Sequence, residues 1–149
     1  MGEQTARAMD GLEIAEFLSG HRTGLLALAK GDVGYAIPVS FAFDPDESFV
    51  YLRLGFAPGS QKRAFVDATD RASFVVYDET DEGWKSVVAE GRLEERSKTS
   101  LDSSIVEAVE GLRIPFFSVH RRPARDLEFG VHRVAVSTLN GIAQARPGR

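Results

Sequence analysis

Three residues at one predicted helix start, Ser60, Lys62 and Arg63, have the types and spacing of an anion site. Ser60 takes the N-cap position, where its hydroxyl accepts a hydrogen bond from an otherwise unpaired backbone N–H. Lys62 and Arg63 follow in the first turn, although the helix dipole already makes that end positive. Backbone donors, a hydroxyl and two cations together predict a phosphate site. The alternative is a basic first turn that is merely solvated.

Arg53 is a second candidate for the same anion. It lies near the end of a strand predicted over residues 49–54, on the face of Tyr51 and opposite the face of Leu52 and Leu54. Its planar guanidinium can donate two parallel hydrogen bonds to one phosphate. The alternative is an ordinary surface cation at a strand end.

Other constellations that perform chemistry are not specified by the sequence. His21, His120 and His132 are scattered and form no HxH or HxxxH pair, so neither a metal site nor a Ser–His–Asp triad is predicted. The absence of cysteine excludes disulfides, thiol nucleophiles and cysteine-ligated metals. The densest basic patch, residues 120–125, predicts a solvated loop, with a contact to a phosphorylated substrate or a second cofactor as the alternative. No catalytic residue is assigned.

Short apolar segments divided by turn signals predict a mainly β chain with a few helices. Strands are predicted over residues 23–29, 35–43, 49–54, 72–77, 84–93 and 132–139. Helices are predicted after Ser60 and after capping boxes that begin at Asp10 and Thr99. Pro38 cannot donate a ladder hydrogen bond, so it predicts a strand edge or bulge. Residues 1–149 are therefore predicted to form one small barrel domain.

Charge and apolar patterning bound the function classes. The net charge of −4 disfavours a general nucleic-acid-binding protein, which would usually be basic. No apolar run approaches membrane-spanning length, and the N-terminus lacks the apolar core of a signal peptide. We therefore expect a cytoplasmic protein without a nucleic-acid or membrane partner.

The order of the segments IPVSFAFD, FVYLRLG, GSQK, RASFVVYD and GWKSVVAEG resembles the pyridoxamine 5′-phosphate oxidase-like family of FMN-binding split β-barrels. The resemblance covers residues 10–95 well and the remainder weakly. It implies non-covalent FMN at the interface of a homodimer, with the flavin supplying the redox chemistry. It implies cofactor contacts from Ile37, Pro38, Val39, Ser40, Leu52, Arg53, Ser60, Gln61, Lys62, Trp84 and Ser86.

The roles implied by this resemblance differ along the chain. Residues 37–42 would lie along the flavin ring, and the turn at 60–62 would hold the phosphate. Ser86 stands where family members carry a polar ring contact, whereas Trp84 would either stack near the flavin or fill the dimer interface. Apolar residues on both strand faces also predict an extensive dimer interface. The residues that suggest this surplus are Phe41, Phe43 and Phe74.

Departures from the family pattern argue against vitamin B6 oxidation. Ile37 and Ala42 stand where the resemblance implies an arginine and a lysine in true oxidases, and Ser86 replaces a frequent glutamine. The sequence therefore predicts an FMN-dependent oxidoreductase with an unidentified small-molecule substrate or NAD(P)H as its redox partner. One alternative is a carrier or sensor of flavin, deazaflavin or haem that does not turn over. The other is a structural relative that has lost its ligand.

Overall fold

A computed structural model describes residues 5–112 and 128–145 of the chain. The elements are β1 (Ala6–Ala8), α1 (Gly11–Ser19), β2 (Thr23–Lys30), β3 (Val33–Asp44), β4 (Phe49–Phe56), α2 (Gln61–Ala68), β5 (Arg71–Thr80), β6 (Gly83–Arg96), α3 (Ser103–Glu110) and β7 (Glu128–Ala145). The predicted mainly β split-barrel fold is confirmed. β1 was not predicted, and β7 is longer than the predicted strand at both ends.

Antiparallel pairing closes most of the sheet into a barrel. The strand order is β1-β7-β4-β3-β2-β5-β6, and β6 also pairs with β7. The length of β7 makes this closure possible, because β7 pairs with β6 along most of its course. Its first half also pairs with β4 and its last residues with β1. Among the described helices, none has the length and apolarity that crossing a membrane would require.

The barrel opens where β3 and β4 diverge. These strands pair only from Phe41 opposite Leu52 to Asp44 opposite Phe49. Beyond that point, residues 33–40 of β3 continue beside β2, and residues 53–56 of β4 continue beside β7. We call the opening between these two segments the split. Along the split, the facing edges of β3 and β4 are not hydrogen-bonded to each other.

Pro38 lies on the β3 edge of the split. The backbone N–H of Phe41 donates to Arg22 O at 3.0 Å, which places odd-numbered backbone groups of β3 against β2. Because backbone groups alternate sides along a strand, the nitrogen of Pro38 faces the split. Pro38, which has no N–H, therefore lies where β3 is no longer paired with β4. The predicted strand edge is confirmed.

One continuous core fills the barrel and includes two helices. Helices α1 and α2 contribute five buried side chains to it: Ile14, Phe17, Leu18, Phe65 and Val66. Phe41 and Phe74 lie inside the barrel with ring centroids 4.8 Å apart, and Phe43 packs against the same core. The prediction that these phenylalanines exceed the interior was therefore wrong, because the two helices enlarge the volume in which they are buried.

Local signals at two helix starts had different outcomes. Asp10 caps α1, since its carboxylate accepts from the backbone N–H of Glu13 at 2.8 Å. Thr99 does not cap α3, because it lies in a short 3-10 turn and Asp102 is the N-cap instead. Asp102 makes no side-chain capping bond, so the second predicted capping box was wrong.

Gly91 lies where the backbone of β7 leaves no room for a side chain on β6. The strand register shifts between Glu90 and Gly91, which marks a bulge. A Cβ atom added at Gly91 would lie 1.9 Å from the carbonyl oxygen of Ala135. Closure of the barrel therefore requires a residue without a side chain at this position.

Candidate functional site

The turn before α2 brings the helix start to the end of β4. Gly59 adopts φ +66°, a conformation that favours glycine, and the N–H of Ser60 donates to Ala57 O at 3.1 Å. Ser60 is the N-cap, because its hydroxyl oxygen accepts from the N–H of Arg63 at 3.2 Å. The predicted cap is confirmed. Gln61 is exposed at the first helical position.

Lys62 is buried at the β4 edge of the split. Its side chain is 7% exposed, and its ammonium donates to the carbonyl of Gly55 at 2.8 Å. Even-numbered backbone groups of β3 face β4, where they are opposite odd-numbered residues of β4. The carbonyl of Gly55 therefore faces the split, where β3 no longer supplies a donor. Lys62 therefore replaces a missing strand partner, a structural role that the sequence did not predict.

The charge of Lys62 has no counter-ion among the described residues, since its described polar partner is a neutral carbonyl. Burial lowers the pKa of Lys62 to about 8. An ammonium can donate three hydrogen bonds, and the Gly55 carbonyl takes one. An anion reaching this position would supply both the missing acceptors and the missing negative charge.

Arg63 differs from Lys62 in being neutralised. Its guanidinium contacts Asp67 at 3.2 Å and Glu95 at 3.3 Å, and it lies 4.9 Å from the centroid of the Phe56 ring. Of the two cations at this helix start, only Lys62 is left without a described carboxylate partner. Of the two cations that the sequence assigned to the anion site, only Lys62 is therefore available to an anion among the described residues.

Arg53 lies outside the barrel and contacts the end of α3. Its Nη1 donates to the carbonyls of Glu110 at 3.2 Å and Leu112 at 3.3 Å, and its Cζ lies 5.0 Å from the centre of the Phe129 ring. A cation is favourable at a helix C-terminus, and the last turn of α3 carries no basic residue of its own. Arg53 thus binds the C-terminal end of α3, and its role in holding the phosphate stays a prediction. The lack of a basic residue in the last turn of α3 could have indicated that a cation from elsewhere in the chain binds this helix end, but the sequence analysis did not use it.

The predicted ring contacts on β3 and β4 divide by strand alternation. Ile37, Val39 and Leu52 direct their side chains into the core and are at most 6% exposed. Pro38 and Ser40 point outward beside the split, with Ser40 3% exposed. Of these five residues, only Pro38 is partly exposed on the outer surface, whereas Ser40 is buried beside it.

Trp84 and Ser86 lie on a distant part of the same outer surface. They belong to β6, which is separated from β3 by β2 and β5. Three inter-strand spacings amount to about 14 Å. Trp84 is 47% exposed, with its ring 6.4 Å from that of Tyr77. The predicted cofactor residues therefore form two separate groups within one chain.

An uncharged outer face joins these two groups. One row of paired residues crosses five strands: Pro38, Leu25, Val75, Val88 and Asn140. A second row contains Tyr77, Ser86 and Ile142. We call these eight residues the uncharged face. Leu25, Tyr77 and Ile142 are 36%, 58% and 54% exposed. An exposed apolar sheet surface of this kind marks an interaction site.

His132 is a buried titratable residue that the sequence did not single out. It is 2% exposed beside Phe56, and neither ring nitrogen has a hydrogen-bond partner among the described residues. Its Nε2 lies 4.0 Å from Glu95 Oε1, the oxygen that Arg63 also contacts. Burial lowers the pKa of His132, which favours the neutral form of the ring. The basic patch predicted over residues 120–125 lies outside the described residues.

A groove of about 510 Å³ lies between α3 and the β3–β4 turn. Its lining includes four carboxylates, from Asp44, Asp46, Glu47 and Asp102. The lining cation, Arg133, is paired with Glu94 at 2.8 Å. This groove has the size of a ligand pocket, but its charge is opposite to what a phosphate requires. The split, not this groove, fits the predicted anion.

Comparisons with known proteins agree with this fold. The family model for pyridoxamine 5′-phosphate oxidase matches residues 10–143. An FAD-binding protein from Mesorhizobium loti is 20% identical, with TM-score 0.69 over 97% of this chain and 100% of that one. An FAD-binding protein from Mycobacterium smegmatis is 16% identical, with TM-score 0.64 over 95% and 100%. A conserved protein of unknown function from Corynebacterium diphtheriae is 22% identical, with TM-score 0.66 over 93% and 97%. No curated protein matches the chain.

Proposed function

The chain belongs to the pyridoxamine 5′-phosphate oxidase-like family, and from this premise we propose that it binds FMN at the split and acts as a flavin-dependent oxidoreductase. The observation that carries the proposal is the buried ammonium of Lys62, which has a neutral carbonyl and no described carboxylate as partner. The FAD-binding proteins of the same fold support a flavin as the ligand class. We favour FMN because, among the described residues at the split, one buried cation lacks a carboxylate partner, and it matches one phosphate group.

The residues at the split fit a flavin phosphate and part of its ring. Lys62 would hold the phosphate, together with the backbone N–H groups at the start of α2 and the Ser60 hydroxyl. Pro38 would lie against the ring from the outer side of β3, with the buried Ser40 beneath that contact. When bound, the flavin supplies the hydride or electron transfer, while the protein binds and orients it. The proposal does not include oxidation of pyridoxamine phosphate, because uncharged Ile37 and Ala42 replace the arginine and lysine that the resemblance implies for true oxidases.

Binding of FMN and riboflavin tests the proposal. Riboflavin lacks the phosphate, so it loses the charge-assisted hydrogen bonds to Lys62. We expect FMN to bind about ten- to a hundredfold more tightly than riboflavin, as a loss of about 1.5–3 kcal/mol implies. Quenching of flavin fluorescence on titration with purified protein measures both affinities. Failure of FMN to bind would overturn the proposal. Equal affinities for FMN and riboflavin would contradict the claim that Lys62 binds the phosphate.

A second subunit would complete the site. Trp84 and Ser86 are too far from Pro38 and Ser40 for one ring to contact all four in a single chain. We therefore propose a homodimer through the uncharged face, in which the partner subunit brings its β6 surface to the split. The exposed apolar side chains of this face would be buried in such an interface. Trp84 would then contact the flavin or the interface.

A charge placed on the uncharged face should separate the subunits. We expect wild-type protein at micromolar concentration to have twice the 16.3 kDa chain mass by light scattering. Ile142→Glu should give the monomer mass, because an unpaired carboxylate would be buried in the interface. Val33→Glu is the matched control, since Val33 is also 54% exposed but lies off this face. A monomeric wild type would contradict the dimer, and a dimeric Ile142→Glu would contradict the chosen face.

A further inference from the structure

We propose that the phosphate group binds at the split with uptake of a proton by the amine of Lys62, to an extent that grows as pH rises above neutrality. This inference rests on the proposed binding of FMN at the split and concerns how pH regulates that site. It starts from the surroundings of the amine and not from the flavin. Its consequence is an affinity for the anion that falls as pH rises above neutrality.

The surroundings of Lys62 disfavour its charge when no anion is bound. The side chain is 7% exposed, and the amine's hydrogen bond to the Gly55 carbonyl replaces only part of its lost hydration. The ring of Phe56, with its centroid 5.7 Å from Nζ, adds only a weak attraction. A buried ammonium in such a position releases its proton more readily, and accordingly burial lowers the pKa of Lys62 to about 8.

The described charged groups near this amine belong to α2, β6 and β7. On α2, Arg63 stays charged and is paired with Asp67. On β6, Glu95 completes the pairing of Arg63. On β7, the flanking groups are Glu128 and the buried His132, and burial lowers the pKa of His132. Of the described charged groups named here, the amine of Lys62 is therefore the one whose charge is expected to change between pH 7 and pH 9.

The sign and size of the effect follow from linkage. With a pKa of about 8, roughly nine-tenths of the amines are charged at pH 7 and roughly one-tenth at pH 9. A bound dianion keeps the amine charged at both pH values. Binding should then take up about 0.1 proton per site at pH 7 and about 0.9 at pH 9. The apparent Kd for FMN should rise about tenfold between them.

Isothermal titration calorimetry measures the proton directly. Wild-type protein is titrated with FMN at pH 7 and pH 9, each in two buffers of different ionisation enthalpy. The dependence of the observed heat on buffer gives the number of protons taken up. The phosphate, whose second pKa is about 6, contributes little at pH 9. At pH 7 it should release about 0.1 proton on binding as a dianion, which offsets the uptake by the lysine. Riboflavin under the same conditions reports any proton that belongs to the ring.

Lys62→Arg is the matched variant, since arginine keeps the cation but does not deprotonate in this range. We expect it to bind FMN without proton uptake and with equal affinity at pH 7 and pH 9. If this variant does not fold, ¹⁵N NMR of the wild-type lysine amines takes its place. One amine should titrate near pH 8 in the free protein and remain charged at pH 9 with FMN bound.

The outcomes separate this inference from the proposed function. No binding of FMN at either pH overturns the proposed function. FMN binding without proton uptake, and with equal affinity at both pH values, overturns the proton coupling alone. Uptake by Lys62→Arg equal to that of wild type also overturns it, since another group would then be the acceptor. In the NMR measurement, the absence of an amine that titrates near pH 8 has the same meaning.

Discussion

Gly91→Ala is expected to destabilise the protein by about 3 kcal/mol, the upper part of the range for overpacked sites. The added Cβ would lie 1.9 Å from the carbonyl oxygen of Ala135 and 2.6 Å from its carbonyl carbon. Both atoms belong to the backbone of β7, so no flexible side chain can move aside. Relief requires β6 and β7 to separate at the bulge, where their pairing closes the barrel.

Urea unfolding of Gly91→Ala and Gly34→Ala side by side measures this effect. Gly34 is also a strand glycine without positive φ, but an added Cβ there would meet nothing within 4 Å. Gly34→Ala should therefore change the free energy of unfolding by less than about 0.5 kcal/mol. Equal unfolding midpoints for the two variants would show that β6 and β7 accommodate a side chain at the bulge.

Lys62→Met is expected to weaken FMN binding about ten- to a hundredfold while leaving riboflavin binding unchanged. Methionine is similar in length and apolar, so it can fill the buried space of the lysine side chain. The variant loses the donor to the Gly55 carbonyl but also removes a charge that burial disfavours. These two effects on stability oppose each other, and we expect the variant to fold.

The control for this prediction is Lys30→Met. Lys30 is exposed at the end of β2, where its charge is solvated. We expect its replacement to leave both flavin affinities at their wild-type values in fluorescence titrations. If Lys62→Met instead loses as much affinity for riboflavin as for FMN, Lys62 acts only as the donor to Gly55, and the phosphate assignment is wrong.

Local signals in the sequence determined the positions of the elements around the site. Ser60 and Asp10 were identified as caps because a capping bond joins residues only three positions apart, so one short segment of sequence contains both partners. Pro38 indicated a strand edge because it lacks an N–H in any tertiary context. Strand alternation likewise separated Arg53 from Leu52 and Leu54 before any partner was known.

The tertiary structure alone decided which groups these side chains meet. Arg53 contacts carbonyls 57 and 59 residues away on α3, and Lys62 contacts a carbonyl that is free only because β3 and β4 diverge. Strand order likewise sets Trp84 and Ser86 apart from the split. Contacts of this kind depend on strand order and on where a ladder ends. Both arise from packing of the whole core, so no short segment of sequence contains them.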